Sequence, residues 1–286
     1  MRRLHLDRRS LLAGLVGIGL IPRRLAAGDA PWRWAVDYSA RTDPVIARGY
    51  DLLVLEPDHP RPIAPLRGPG SQLLGYLSLG EVEKGRDFIG LLRREGALKT
   101  ANQNWPDARM VDLRHPAWTR LVLDRLIPDI LSKGYDGIFF DTLDNAEALE
   151  RKDPAGCAGM VDAAAELVRS IRQRFPRSVL MMNRGYALLP RVASHVDLVL
   201  GEAMASRWNF AIKQYEFTPQ ADWSWQAERL IAAREANPAL RLATLDYWDP
   251  ADRETIANLY DRERQAGFCP YVATLALDRI HPEPRS

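Results

Sequence analysis

From Arg33 onwards the chain repeats one pattern: a short, nearly continuous apolar run ends in an acidic or polar residue, and a longer stretch leads to the next run. The runs occupy residues 34–38, 52–56, 73–78, 137–141, 179–183, 196–202, 242–246 and 271–275. Runs with little alternation belong to strands covered on both faces, as in a parallel sheet. The intervals carry helical periodicity: residues 117–133 place Leu121, Leu123, Leu126, Ile127 and Ile130 on an apolar stripe, and residues 163–175 do the same with Leu167, Val168 and Ile171. Gly134 and Pro176 are helix stops, and Pro128 bends or divides the first of these segments. Eight strand-helix repeats predict one α/β domain, a (β/α)8 TIM barrel with a parallel eight-stranded barrel and outer helices. A doubly wound open sheet is the main alternative, but the glycine-rich nucleotide turn expected after its first strand is missing. The long interval over residues 82–136, with Asn104, Trp105 and Pro106, is expected to carry an insertion over the barrel mouth.

The first thirty residues read as an address and not as structure. Arg8 and Arg9 precede Ser10, Leu11 and Leu12 in a twin-arginine-like start, a glycine-rich apolar stretch runs to Ile21, and Ala26, Ala27, Gly28 and Ala30 follow. The stretch is about half of the roughly 20 residues needed to cross a bilayer, so no stable membrane span is expected once the signal is cleaved. The predicted division is therefore an export signal over residues 1–30 and a barrel over 31–286, with a periplasmic or secreted location. The chain has 39 Lys and Arg against 37 Asp and Glu. Six of the arginines and two of the aspartates fall within the first thirty residues, so the remainder is net acidic and offers no nucleic-acid surface. Cys157 and Cys269 fall near opposite faces of the predicted barrel, too far apart for a disulfide, and are expected as free, mostly buried thiols.

In such barrels the reactive groups sit at the C-terminal ends of the strands. Here those ends are Asp37, Glu56, Ser78, Asp141, Asn183, Glu202 and Asp246. If Asp141 points inward so do Phe139 and Gly137, and if Glu202 does so do Leu200 and Leu198, which sets both carboxylates above apolar layers that raise a carboxyl pKa. Two carboxylates with aromatic rings nearby are the equipment for glycoside hydrolysis. Trp208, Trp223, Trp225, Trp248 and Tyr247 are candidate stacking faces or core rings. Asp37, Tyr38, Glu56, Ser78, Asp144, Asn183, Asp246, Tyr247 and Trp248 are the candidate substrate-positioning residues. Asp37, Asn183 and Asp246 read equally as structural hydrogen-bonding residues, and for Asp144 the favoured reading is a cap on the following helix. No metal or cofactor is expected. His59, His115, His195 and His281 have no paired spacing, Ser78 has no obvious base, and no dinucleotide fingerprint is present. The expected partner of a monomer is thus a polysaccharide substrate.

Four segments resemble the glycoside hydrolase family 114 barrel: Tyr50 to Glu56, Gly75 to Glu81, Gly134 to Asp141, and Gly201-Glu202. The Gly-Tyr-Asp-Gly-Ile-Phe-Phe-Asp segment ending at Asp141, with Asp144 following, is the most specific. That family includes endo-α-1,4-polygalactosaminidases. The resemblance implies a retaining enzyme acting on galactosamine-rich polysaccharide, with Asp141 as nucleophile and Glu202 as acid/base. A carbohydrate-binding barrel without turnover, engaged in exopolysaccharide handling, is the alternative from a different functional class, because fold alone does not choose between binding and catalysis.

Overall fold

The computed structural model describes residues 32–39, 41–103 and 105–284, so the predicted export segment and its boundary lie outside the described residues. In chain order the strands are β1 (Trp34–Asp37), β2 (Leu52–Leu55), β3 (Gln72–Ser78), β4 (Glu81–Glu83), β5 (Leu98–Ala101), β6 (Ala108–Val111) and β7 (Gly137–Asp141). They continue with β8 (Val179–Asn183), β9 (Leu198–Glu202), β10 (Ser206–Asn209), β11 (Gln214–Phe217), β12 (Arg241–Tyr247) and β13 (Cys269–Ala273). Eight of these form one parallel sheet in the order β1-β2-β3-β7-β8-β9-β12-β13, and they correspond to the eight apolar runs. The two edges are brought together by the Trp34 indole, which donates to Cys269 O at 2.9 Å, and by Tyr38 N–H, which donates to Leu277 O at 2.7 Å. The architecture is the (β/α)8 TIM barrel that the pattern predicts.

At the lower rim, an aspartate just before a strand staples that strand to its neighbour. Asp136, preceding β7, accepts Leu73 N–H at 2.8 Å and Arg67 Nη1 at 2.6 Å. Asp197, preceding β9, accepts Leu180 N–H at 2.9 Å and Arg172 Nη2 at 2.6 Å. Asp51, preceding β2, accepts Arg33 N–H at 2.8 Å. Each carboxylate satisfies a strand-start donor that the ladder leaves open, and thereby fixes pairing register.

The outer helices follow the expected periodicity with one local change. The segment after Asp112 divides into Pro116–Leu121, a wider π-type turn at Val122–Leu126, and Ile127–Ser132. Pro128 has no N–H to continue the ladder, so the helix widens just before it. Gly134 then takes φ 94°, a left-handed stop. The helix Met160–Arg174 buries Leu167, Val168 and Ile171 and ends before Pro176. Cys157 and Cys269 are free thiols.

Two additions rise over the C-terminal end. The insertion forms an antiparallel sheet in the order β4-β6-β5, and β10-β11 form a hairpin. The first is anchored by Trp118, fully buried, whose indole donates to Leu79 O at 3.0 Å.

On β12, Leu245 and Tyr247 face the barrel interior. Asp246 therefore faces outward, where Glu263 of the helix Arg253–Gln265 raises its pKa. Both acids are fully buried. Asp246 Oδ1 accepts Ala205 N–H at 2.7 Å and Ser206 N–H at 2.8 Å, and Glu263 Oε1 accepts the Trp223 indole at 2.7 Å. The other oxygen of each acid has no hydrogen-bond partner among the described residues. Burial first, and the Glu263 charge second, push Asp246 up to about 8. A carboxyl that binds its proton more tightly when folded favours the native state at low pH, and that contribution is lost as pH climbs from the ordinary carboxylate range to about 8. Asp246→Asn keeps an acceptor for the two N–H groups and removes the titration. We expect its melting temperature to gain on the parent protein progressively between pH 5 and pH 8, measured by calorimetry; a constant difference across that range would contradict the buried, proton-holding pair.

Candidate active site

Strands β7, β8 and β9 deliver the centre of the site. Inward alternation pairs Phe139 with Asp141 and Leu200 with Glu202, so both carboxylates stand over an apolar floor. Between them lies Asn183, whose Nδ2 donates to Asp141 Oδ1 at 2.9 Å and to Glu202 Oε2 at 2.6 Å. Those two oxygens are therefore separated by no more than the sum of the two bonds. The remaining oxygens are also held: Tyr76 OH donates to Asp141 Oδ2 at 2.9 Å, and Tyr247 OH to Glu202 Oε1 at 2.5 Å. Thr142 N–H adds a third donor to Asp141, at 2.8 Å on Oδ1.

The backbone contributes a repeated device. The residues following Asp141, Asn183 and Glu202 are Thr142, Arg184 and Ala203, with φ of 65°, 50° and 57°. Left-handed backbone is uncommon outside glycine and concentrates at functional sites. Here it turns the chain sharply at each strand end, so that the preceding side chain stays aimed into the barrel mouth. Arg184 N–H and Ala203 N–H still reach across to Leu200 O and Leu245 O, both at 2.8 Å, so the turns remain attached to the ladder.

Burial pushes Asp141 up to about 6, with the Glu202 charge as the second cause and the amide and phenol donors opposing it. Asp144 is also raised by burial, while Arg184, 3.6 Å away, pulls the other way. The phenols of Tyr38, Tyr76 and Tyr247 are all pushed up, chiefly by burial and next by the neighbouring acids, and so remain protonated donors. The cleft above has a volume of about 1370 Å³, larger than the roughly 300–1,000 Å³ of an ordinary small-molecule pocket. Ten of its lining residues are acidic and five basic. Among the described residues no group of His, Cys, Asp and Glu is arranged to hold a metal ion.

Of the residues named from sequence, Glu56, Ser78, Asp141, Asp144, Asn183, Glu202 and Tyr247 line this cleft, and Tyr38 lines the smaller cavity beneath it. Three do not. Asp37 faces away from the interior, since Val36 and Tyr38 take the inward positions, and it accepts Ser39 N–H at 2.7 Å. Asp246 is the outward residue of β12 described above. Trp248 stacks on Phe217 with ring centroids 4.7 Å apart and donates to Asp252. Asp144 occupies the first position before the helix Asn145–Lys152, but its side chain makes no capping bond and faces Arg184 instead. Trp208 lines the cleft, whereas Trp223 binds Glu263 and Trp225 packs on Tyr186.

Several lining residues carried no role in the sequence reading: Tyr76, Glu81, Arg207 and Phe210. Tyr76 sits two residues before Ser78 on an inward position, a parity signal present in the sequence. Glu81 and Phe210 reach the cleft through β4 and the β10-β11 turn, which only tertiary structure reveals. Phe210 meets Trp105 of the insertion edge to face, with centroids 5.9 Å apart, at the rim.

Known structures place this geometry in context. The glycoside hydrolase domain of PelA from Pseudomonas aeruginosa is 29% identical, with a TM-score of 0.77 over 89% of this chain and 99% of that one. Ega3 from Aspergillus fumigatus, in complex with galactosamine, shares the fold at 13% identity, with a TM-score of 0.59 over 87% of this chain and 93% of that one. The α-galactosidase TtGalA from Thermus thermophilus shares it at 14% identity and a TM-score of 0.52, over 89% of this chain and 59% of that one. No curated protein sequence gives a match. The model of glycoside hydrolase family GH114 matches residues 23–285, nearly the whole barrel with both carboxylate-bearing strands, and the chain belongs to that family of glycoside hydrolases.

Proposed function

We propose that this protein is an exported, endo-acting glycosidase that cleaves α-linked, galactosamine-containing polysaccharide with retention of configuration, Asp141 serving as nucleophile and Glu202 as acid/base. The observation that carries the mechanism is the Asn183 amide shared by the two carboxylates. The separation it imposes does not exceed the roughly 5–5.5 Å of retaining pairs and falls short of the roughly 6.5 Å at which inverting pairs begin. The family resemblance supports an amino-sugar polymer, as does the acidic surplus of a cleft that would attract a polycation. The volume of the cleft suits several sugar rings, with Trp105, Trp208 and Phe210 as apolar faces for them. The arginine pair and apolar stretch before residue 31 support export.

The division of roles weighs two opposing effects. Burial and Glu202 favour a proton on Asp141; three donors, one of them a backbone N–H, favour its anion. In the reading proposed here the donors hold Asp141 ionised above about pH 6, where it attacks the anomeric carbon while Glu202 passes its proton to the leaving oxygen. Glu202 then takes a proton from the water that releases the glycosyl-enzyme.

Asp141→Asn and Glu202→Gln should each abolish release of reducing ends from a galactosamine polymer while leaving the melting temperature nearly unchanged; full activity in either would sink the assignment. With Asp141 as nucleophile, kcat/KM on an aryl glycoside should rise with pH through about 6, because protonation removes the attacking anion. Azide rescue separates the roles: Asp141→Ala should yield the β-glycosyl azide and Glu202→Ala the α-glycosyl azide, and the converse would exchange the assignments.

A further inference from the structure

The acids of the cleft fall into groups by what already neutralises them. Asp141 and Glu202 form the catalytic pair. Glu56 and Glu83 share Arg86, Asp58 has Lys133, Asp87 and Asp129 share Arg125, Asp107 has Lys84, and Asp144 has Arg184. Glu81 is the exception: it is 7% exposed, lines the cleft, and among the described residues forms no ion pair. Buried carboxylates are ordinarily paired, since removing one from water without a counter-charge is costly.

Glu81 Oε1 accepts Asn102 Nδ2 at 2.7 Å and Asn145 Nδ2 at 2.6 Å, two neutral donors from separate segments, one in the insertion and one following Asp144. Its position is fixed by Gly80, whose N–H donates to Thr142 Oγ1 at 2.8 Å. A Cβ at Gly80 would lie 2.1 Å from Thr142 O, so only glycine allows the β3-β4 turn to approach the end of β7 this closely. The turn thereby sets Glu81 against the same strand end that carries Asp141. Asn102 also accepts Trp105 N–H at 3.3 Å, which ties the carboxylate to a loop bearing an exposed ring.

Building on the function proposed above, we infer that Glu81 is the residue that receives the ammonium group of an amino sugar and so selects the free amine over its N-acetylated form. Two amides orient the carboxylate without neutralising it, and the substrate supplies the missing cation. An acetamido group brings no charge, leaving Glu81 as an uncompensated buried carboxylate in that complex.

Binding to the inactive Asp141→Asn protein tests this without turnover, using α-1,4-linked galactosamine oligomers with free or fully acetylated amines in titration calorimetry. Adding Glu81→Gln should weaken the free-amine oligomer roughly 10- to 100-fold, the range of a charged hydrogen bond, and leave the acetylated oligomer unchanged. Equal losses on both ligands, or none, would overturn the inference. Melting temperatures accompany each variant. Should Glu81→Gln fold poorly, Glu81→Asp takes its place: it retains the charge and should keep a preference for the free amine, and loss of that preference or equal binding of both oligomers overturns the assignment. A wild-type enzyme that cleaves neither oligomer refutes the proposed reaction; the amine preference is judged separately by the calorimetry.

Discussion

Two carboxylates held side by side over an apolar floor repel each other and lose hydration, and the mouth of this barrel is organised around offsetting that cost. Asn183 places one amide between them, Tyr76 and Tyr247 each donate to an outer oxygen, and Thr142 N–H adds a backbone donor. Burial keeps these two phenols protonated, so they can only stabilise negative charge and never add to it. The same enclosure that makes the pair costly makes each of its hydrogen bonds stronger than it would be in water.

The barrel itself was legible because a strand covered on both faces has few places for polar residues, and its apolar run ends where the strand does. The facing of each strand end was less so. Asp37 and Asp246 end apolar runs just as Asp141 does, yet each lies on the outward parity of its strand and caps backbone N–H groups of an adjacent loop. A buried aspartate that satisfies a loop and one that faces the cleft leave the same mark in sequence. Asp144 shows a related ambiguity: it stands where a cap belongs, but the pull of Arg184 takes its side chain into the cleft. Trp248, adjacent to Tyr247, faces away by the same alternation that brings the tyrosine in.

The additions over the mouth were partly anticipated as an interval too long for one crossover, but not the contacts they make. Glu81, Asn102 and Asn145 are brought together from separate segments, and Trp105 meets Phe210 from a hairpin on the far side of the cleft. No local periodicity encodes such meetings. They depend on a left-handed turn after each site strand and on one glycine at the β3-β4 turn, features that set direction and not composition.

The aspartate staples at the lower rim bear on the height of the site. Asp136 precedes Asp141 by five positions, and Asp197 precedes Glu202 by five. On β7 and β9 a carboxylate anchored to a neighbouring strand-start is therefore followed, at roughly 16 Å of extended chain, by a carboxylate at the cleft. The strand acts as a ruler whose zero mark is fixed by a hydrogen bond at one end and whose graduation is read at the other. Two rulers of equal length, zeroed on adjacent pairs of strands, level the two acids to within the reach of a single asparagine amide. An insertion or deletion inside either strand would leave both staples and both acids in the sequence and still misalign them, which makes strand length, as much as residue identity, a requirement of this site.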